Sequence, residues 1–327
     1  MKNRIAQLAC VGAVAGMFAV PSLSLAQDAA PAQGLDPAGK RTQHAPPEMA
    51  PAEAGPNTGR ISLSAGVDAV TEYIFRGVVQ ENQGAMLQPY ASVSFSLFQG
   101  QGAVQDISLV TGIWNSFHTD PTGFSGAWYE ADLSAGVAVK FLEKFTASIA
   151  YIWYTYPDAN LTSYDEIDLK LAYDDTGMLP EIAGQQISLQ PYVLLAFELN
   201  DPDGVPSARE EAQYLEIGVA PSFTFGGVAQ DYPITLSLPV AIGLSWDGYY
   251  PDPAGGSSDF FGFISGGAVV SVPLAFIPSD FGQWNAHAGV IFYYLGENAA
   301  ALATPGIIGA GGNQFRIVGT FGVAMSY

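Results

Sequence analysis

From residue 60 to residue 327, long segments of the chain alternate between hydrophobic and polar residues. The last segment is the clearest example, because Phe315, Ile317 and Phe321 fall on one face and Arg316 falls on the other. Successive side chains of a β-strand point to opposite sides of the sheet, so a period of two predicts strands with one apolar and one polar face. A soluble β-sandwich has the same alternation, so this pattern alone does not separate the two classes.

The length and number of these segments narrow the fold class. About twelve segments occur, each of roughly 10–16 residues, which is longer than most strands of soluble sheets and long enough to cross a bilayer at a tilt. Two of them, near residues 105 and 259, alternate poorly, so ten or fourteen strands are also compatible with the pattern. The segments begin near residues 60, 86, 105, 127, 144, 164, 186, 212, 232, 259, 284 and 314.

The hydropathy of the chain points to a membrane protein without membrane helices. Its mean hydropathy is +0.20, yet no apolar run after the first 26 residues is long enough to form a membrane-spanning helix. In hydrocarbon every backbone donor and acceptor needs an internal partner, and only helices and closed barrels provide one. We therefore predict an all-β fold, a transmembrane antiparallel up-and-down β-barrel of about twelve strands.

The first residues predict export. Lys2 and Arg4 precede an apolar run over residues 5–20, and Ser24 and Ala26 form a small-residue cleavage site. This is the layout of a signal peptide, residues 1–26, and a lipoprotein signal at Cys10 is the weaker alternative because that cysteine comes too early in the apolar run. Residues 27–59, rich in Pro and Ala, are predicted to be a disordered periplasmic leader before a barrel over residues 60–327.

Composition excludes several classes of function. Cys10 is the only cysteine, so the mature chain has neither disulfides nor thiol chemistry. Loss of two basic residues with the signal takes the formal net charge from −20 to −22, which disfavours nucleic acid as a partner. With an N-terminus in the periplasm, the longer connections face outward. Aromatic residues near the predicted strand ends suit a girdle at the lipid headgroups: Trp128, Tyr129, Trp153, Tyr154, Tyr156, Trp246, Tyr249, Tyr250, Trp284, Tyr293 and Tyr294.

One segment carries a family resemblance. Residues 68–82 read DAVTEYIFRGVVQEN and contain the residues Tyr73, Phe75, Arg76, Gly77 and Gln80. This order resembles the early Thr-x-x-Tyr-x-Phe-Arg-Gly-x-x-Gln segment of the TorF family of porins, which implies a porin-like protein. The alternating last strand, which ends at Tyr327, is also similar and resembles the signal that the barrel-assembly machinery recognises.

Charged residues on the predicted inward face are the candidate site. Glu72 and Arg76 are four residues apart, so a continued strand would point both into the lumen, as a constriction pair or as a structural brace. Acidic residues outnumber basic ones on this face, which favours cations or neutral solutes. The lumen and constriction candidates are Asp68, Glu72, Arg76, Asp132, Lys140, Asp168, Lys170, Glu216 and Arg316, with Glu130, Glu166 and Glu198 beside them.

These observations predict an outer-membrane channel for passive passage of small solutes, with lipid, solute and the assembly machinery as partners. The main alternative is a structural or adhesive barrel that does not conduct, because a narrow bore is easily filled by paired charges. A hydrolase is the less favoured alternative, since Ser116 and His118 share a face that Asn115 does not, and no nucleophile elbow occurs. No enzyme activity, cofactor or metal is predicted, although the acidic loop at residues 200–204 is a weak calcium candidate. The oligomeric state is left open.

Overall fold

The barrel prediction is confirmed. The structure is a computed structural model and describes residues 59–122, 126–159, 161, 163–180, 187–199, 212–225, 233–302 and 312–327. The predicted signal peptide, nearly all of the leader and the 200–204 loop lie outside these residues. The described strands are β1 (Ile61–Val70), β2 (Tyr73–Phe75), β3 (Val78–Glu81), β4 (Met86–Gln99), β5 (Val104–His118), β6 (Trp128–Phe141), β7 (Phe145–Thr155), β8 (Tyr164–Tyr173), β9 (Tyr192–Glu198), β10 (Gln213–Val219), β11 (Ser222–Phe225), β12 (Ile234–Ser237), β13 (Val240–Asp247), β14 (Phe261–Pro273), β15 (Gln283–Leu295) and β16 (Phe315–Ser326).

Strand pairing closes the sheet into a barrel. Neighbouring strands are antiparallel, β1 pairs with both β4 and β16, and β14 pairs with β12, β13 and β15. Strands β10 and β11 are two parts of one membrane crossing, and so are β12 and β13. The described residues therefore form a twelve-stranded barrel. The two segments with poor alternation are regular strands, β5 and β14. No helix in the described part of the chain is long and apolar enough to cross a membrane.

The two faces of the wall differ as the alternation predicts. Leu133 and Leu169 point outward and are 46% and 38% exposed, whereas their neighbours Asp132 and Asp168 point inward and are 0% and 5% exposed. An apolar exterior around a polar interior is the arrangement of barrels that span membranes. It is the reverse of a soluble β-sandwich, whose apolar side chains form the interior.

The aromatic girdle prediction is only partly right. Trp128, Trp153, Trp246 and Tyr294 point outward and are exposed, as a girdle at the lipid headgroups requires. In contrast, the side chains of Tyr129, Tyr154, Tyr249 and Tyr250 are buried inside the barrel. The alternating parity separates Trp153 from Tyr154, but it gives no guidance for Tyr249 and Tyr250, which follow the end of β13.

The connections divide the barrel into two ends. The end that carries the connections 71–85, 119–127, 156–163, 199–212, 248–260 and 296–314 is called the loop end below, and the opposite end, where β1 begins and β16 finishes, is called the terminal end. At the loop end, the short helix α1 (Glu297–Ala301) follows β15 and packs against β3 and β14. The buried side chains concentrate at the loop end, whereas lumen residues nearer the terminal end, such as Ser92 and Lys140, are only partly buried.

The predicted start of the seventh crossing is wrong. Alternation over residues 187–190 suggested a strand from about residue 186, but β9 begins at Tyr192. The side chain of Asp175 instead accepts hydrogen bonds from the Ser188 hydroxyl, at 2.5 Å, and from the backbone N–H groups of Leu189 and Gln190. Burial acts to raise the pKa of Asp175, but these hydrogen bonds outweigh it and hold the pKa below its ordinary value. Residues 187–190 therefore belong to a folded connection at the terminal end.

The inside-out arrangement gives a first prediction. Val93 and Ser92 are neighbours in the middle of β4, with Val93 facing outward and Ser92 facing the lumen. We expect Val93→Arg to lower the free energy of unfolding by about 2–4 kcal/mol, because it places a charge against lipid near the bilayer midplane. Ser92→Arg is the matched control and should cost much less. Equilibrium unfolding of both variants in lipid vesicles measures the difference, and equal losses would contradict the assigned faces.

Candidate functional site

A hairpin fills the lumen at the loop end. Strands β2 and β3 form a separate two-stranded sheet, which pairs with none of the described barrel strands. Its turn consists of Arg76 and Gly77, with φ of 44° and 86°, as a two-residue hairpin turn of type I′ requires. The hairpin side chains are almost entirely inaccessible, with Phe75 2% exposed and Val79 0% exposed. The segment that resembles the TorF family therefore forms a plug inside the barrel.

Arg76 fixes the tip of the hairpin to the opposite wall. Its guanidinium donates two hydrogen bonds of 2.6 Å to the two carboxylate oxygens of Glu166, and Nη2 lies 3.5 Å from Asp168. The guanidinium also lies over the ring of Tyr214, at 4.4 Å, and near the ring of Tyr249, at 5.5 Å. Burial acts to lower the pKa of Arg76, but Glu166 and the neighbouring groups raise it well above its ordinary value. The arginine is therefore a charged anchor in a fork geometry that lysine cannot reproduce.

Polar contacts attach the rest of the hairpin to other parts of the wall. The Tyr73 hydroxyl donates to Glu130, at 2.9 Å, and the hydroxyl of Tyr129 donates to the Gln80 side chain, also at 2.9 Å. The Tyr250 hydroxyl donates to the backbone carbonyl of Arg76, at 2.8 Å. These contacts come from β6 and from the connection after β13, so the hairpin is held from several sides.

Gly77 allows the tip to approach the wall closely. A Cβ atom at this position would lie 3.0 Å from the ring of Phe263 and 3.1 Å from the Cβ atom of Phe263. Its positive φ also favours glycine, because L side chains rarely adopt this conformation. The Arg-Gly pair of the motif thus combines an anchoring side chain with a residue that leaves room for the wall.

The base of the hairpin brings together three side chains of the kind found in hydrolases. The Ser116 hydroxyl lies 3.0 Å from Nε2 of His118, and Nδ1 of His118 lies 3.8 Å from Glu81. Asn115 points to the opposite face, as predicted, and accepts a hydrogen bond from the indole of Trp128. The 3.8 Å between Nδ1 of His118 and the Glu81 carboxylate is too long for a hydrogen bond. Ser116 is also 0% exposed in this conformation, so a substrate would have no access to it.

The predicted pairing of Glu72 with Arg76 is wrong. It assumed that the first strand continues, but β1 ends at Val70 and the chain turns into the hairpin. Arg76 pairs with Glu166 and Asp168, whereas Glu72 lies 3.9 Å from Arg316. Spacing along the sequence failed here because the turn residues have no strand parity.

The other predicted lumen residues fall into two groups. Asp132, Asp168 and Arg316 are buried at the loop end, together with Glu130 and Glu166. The remaining residues have other partners or are only partly buried: Asp68 is 2.6 Å from His287, Lys170 is 4.5 Å from the Tyr192 ring centroid, Glu216 accepts hydrogen bonds from Tyr192 and Tyr214, and Lys140 is partly buried. The described residues contain no group of three or more His, Cys, Asp or Glu side chains able to hold a metal ion.

Sequence reasoning missed several contacts of the hairpin. Glu81 was not singled out, yet its carboxylate accepts hydrogen bonds from Thr122 and from the backbone N–H groups of Asn82 and Gln83. Tyr249 and Tyr250 were assigned to the girdle. The available signal was the position of Tyr249 and Tyr250 shortly after the end of β13, where side chains no longer alternate between the two faces of the wall.

The buried ion pair of Arg76 gives a second prediction. Arg76→Gln should lower the free energy of unfolding by about 3–5 kcal/mol, because it leaves Glu166 buried without a partner. Arg76→Lys keeps the charge but loses the bidentate hydrogen bond to Glu166, so it should recover only part of the lost free energy of unfolding. The double variant Arg76→Gln/Glu166→Gln should be more stable than Arg76→Gln alone, which a double-mutant cycle measures by chemical unfolding. Strictly additive losses would contradict the pairing.

Comparison with known proteins identifies the family. Similar solved structures include the NanC porin (10% identity, covering 81% of this chain and 98% of that chain, TM-score 0.37) and the translocator domain of the autotransporter NalP from Neisseria meningitidis (12%, 82% and 89%, TM-score 0.41). An outer-membrane channel from Pseudomonas putida F1 is also similar (8%, 82% and 94%, TM-score 0.38). No curated protein sequence matches. A family model described as "Bacterial protein of unknown function (Gcw_chp)" matches residues 53–230, which include the hairpin and more than half of the chain. The chain therefore belongs to the Gcw_chp family of bacterial proteins.

Proposed function

We propose that the protein is an outer-membrane channel for small solutes, closed at its loop end by the β2–β3 hairpin in the conformation described above. The observation that carries this proposal is that the hairpin is separate from the barrel wall. Side-chain contacts hold its tip, so the hairpin can leave the lumen without breaking any ladder of the wall. A segment that fills the bore but contributes nothing to closure of the sheet suits a gate.

The charges of the lumen support a preference for cations or neutral solutes. Among the described inward-facing side chains, acidic groups outnumber basic ones: Asp68, Glu130, Asp132, Glu166, Asp168 and Glu216 against Arg76, Lys140, Lys170 and Arg316. A narrow, low-dielectric passage lined by one sign of charge attracts ions of the opposite sign. The periplasmic position of the N-terminus and the recognition of Tyr327 by the assembly machinery belong to the same proposal.

Planar-bilayer recording tests the gate. We expect the refolded mature protein to stay mostly closed and Arg76→Gln to open more often, with cation selectivity in potassium chloride gradients, because the tip has lost its anchor. Arg60→Gln is the matched control, since Arg60 lies at the terminal end and its side chain donates to the Ser96 carbonyl, far from the hairpin. Identical records for wild type and Arg76→Gln would contradict the gate, and absence of conductance in both would favour the adhesive barrel.

A disulfide locks the same gate and sharpens the test. In the Arg76→Gln background, Gly77→Cys and Phe263→Cys place two Cβ atoms 3.1 Å apart. This is closer than the roughly 3.5–4.5 Å of a relaxed disulfide, so the bond forms after a small shift of the tip. The mature chain has no other cysteine, since Cys10 belongs to the predicted signal peptide. Oxidation should abolish the openings and reduction should restore them. The variant with only Phe263→Cys controls for oxidation itself, and openings that persist in the oxidised pair would contradict closure by the hairpin.

The contacts of Ser116 favour a second candidate, a hydrolase. A serine hydroxyl that bonds a histidine next to a carboxylate is the arrangement of nucleophilic hydrolases. We expect no turnover of short p-nitrophenyl esters by the wild-type protein, because Ser116 is sealed beneath the hairpin and Glu81 is occupied by other donors. Turnover that disappears in both Ser116→Ala and His118→Ala would establish the hydrolase and contradict a purely passive channel.

A further inference from the structure

Two carboxylates beneath the hairpin lack the partners that buried charges require. Glu130 and Asp132 are both 0% exposed and lie two residues apart on the inward face of β6. Glu130 accepts a hydrogen bond from Tyr73 through one oxygen and also interacts with the Tyr156 hydroxyl, whereas its other oxygen has no hydrogen-bond partner. Asp132 interacts with the backbone of Thr155, but neither of its oxygens has a partner at hydrogen-bond distance and angle. Burial of a carboxylate without a hydrogen-bond donor or opposite charge is strongly unfavourable.

The other acidic groups around the hairpin are compensated by protein groups. Glu166 accepts two hydrogen bonds from the Arg76 guanidinium, and Asp168 lies 3.5 Å from the same group. Glu81 accepts hydrogen bonds from three residues beside it. No ion pair of the described residues includes Glu130 or Asp132. The imbalance is therefore local to these two side chains.

We propose that Glu130 and Asp132 bind one divalent cation, with calcium as its representative, beneath the closed hairpin. Residues two apart on a strand point to the same side, so both carboxylates lie on the lumen side of β6, with Cα atoms about 6–7 Å apart. Two carboxylates carry the charge that one divalent cation neutralises, and carboxylate oxygens are the ligands that calcium prefers. The pair is smaller than a complete protein cage, so water supplies the remaining ligands.

This site would couple the cation to the gate. Tyr73, which belongs to the hairpin, donates to the same carboxylate that holds the cation, so the ion stabilises the wall against which the closed hairpin packs. The inference does not depend on conductance, because the cation site exists in the closed barrel whether or not the hairpin opens. It differs from the 200–204 loop candidate of the sequence, which lies outside the described residues.

Calcium binding to the refolded mature protein in detergent tests the site. Titration calorimetry and thermal unfolding, after removal of divalent cations with EDTA, should show binding and a rise in Tm of about 5 °C at calcium about a hundredfold above Kd. Asp132→Asn should abolish the tightest site and lose the Tm shift, while Asp120→Asn, at the surface of the loop end, should keep both. In EDTA, Asp132→Asn should unfold at a higher temperature than wild type, because it removes an uncompensated buried charge.

Each outcome decides the inference. Loss of one bound calcium in Asp132→Asn and in Glu130→Gln, with an unchanged count in Asp120→Asn, supports the site. The same calcium response in wild type and Asp132→Asn would place binding at surface carboxylates and overturn it. Absence of calcium binding by the wild-type protein, or an equal response to potassium alone, would also overturn it.

Discussion

The ion pair between Arg76 and Glu166 is the interaction on which the position of the hairpin depends. It joins residues 90 positions apart, from the tip of the hairpin to the opposite wall, and both side chains are fully buried. A buried ion pair is weak evidence for net stability, but the loss of one partner is costly because the other charge remains buried. The hairpin therefore stays in place because its departure would leave Glu166 buried without its charged partner.

The wall and the hairpin obey different physical constraints. In the wall, backbone hydrogen bonds between neighbouring strands hold the ring together, and the outward residues only need to be apolar. The hairpin has no place in that ring, so its position depends on side chains: Arg76 on Glu166, Tyr73 on Glu130 and Tyr129 on Gln80. This division allows one part to move while the other stays intact, which is what a gated channel requires.

The sequence predicted the wall well because alternation is a local property. The period of two placed Asp132 and Asp168 inside the barrel and Leu133 outside it, and the twelve predicted segments correspond to the twelve crossings. The main error in a strand, at residues 187–190, arose because alternation continues into a connection that Asp175 holds by hydrogen bonds. The hairpin was not predictable in this way. Its turn breaks the parity at Arg76, and the partner of that arginine is set by closure of the barrel rather than by spacing along the chain.

The most direct test of the central claim is the accessibility of the hairpin interior to a membrane-impermeant maleimide. Val79 is 0% exposed, whereas Ser257, in another connection at the loop end, is exposed. In vesicles that contain the refolded mature protein, Ser257→Cys should react rapidly and Val79→Cys at least about a hundredfold more slowly, since labelling requires local opening. Equal labelling rates would contradict a hairpin folded inside the barrel.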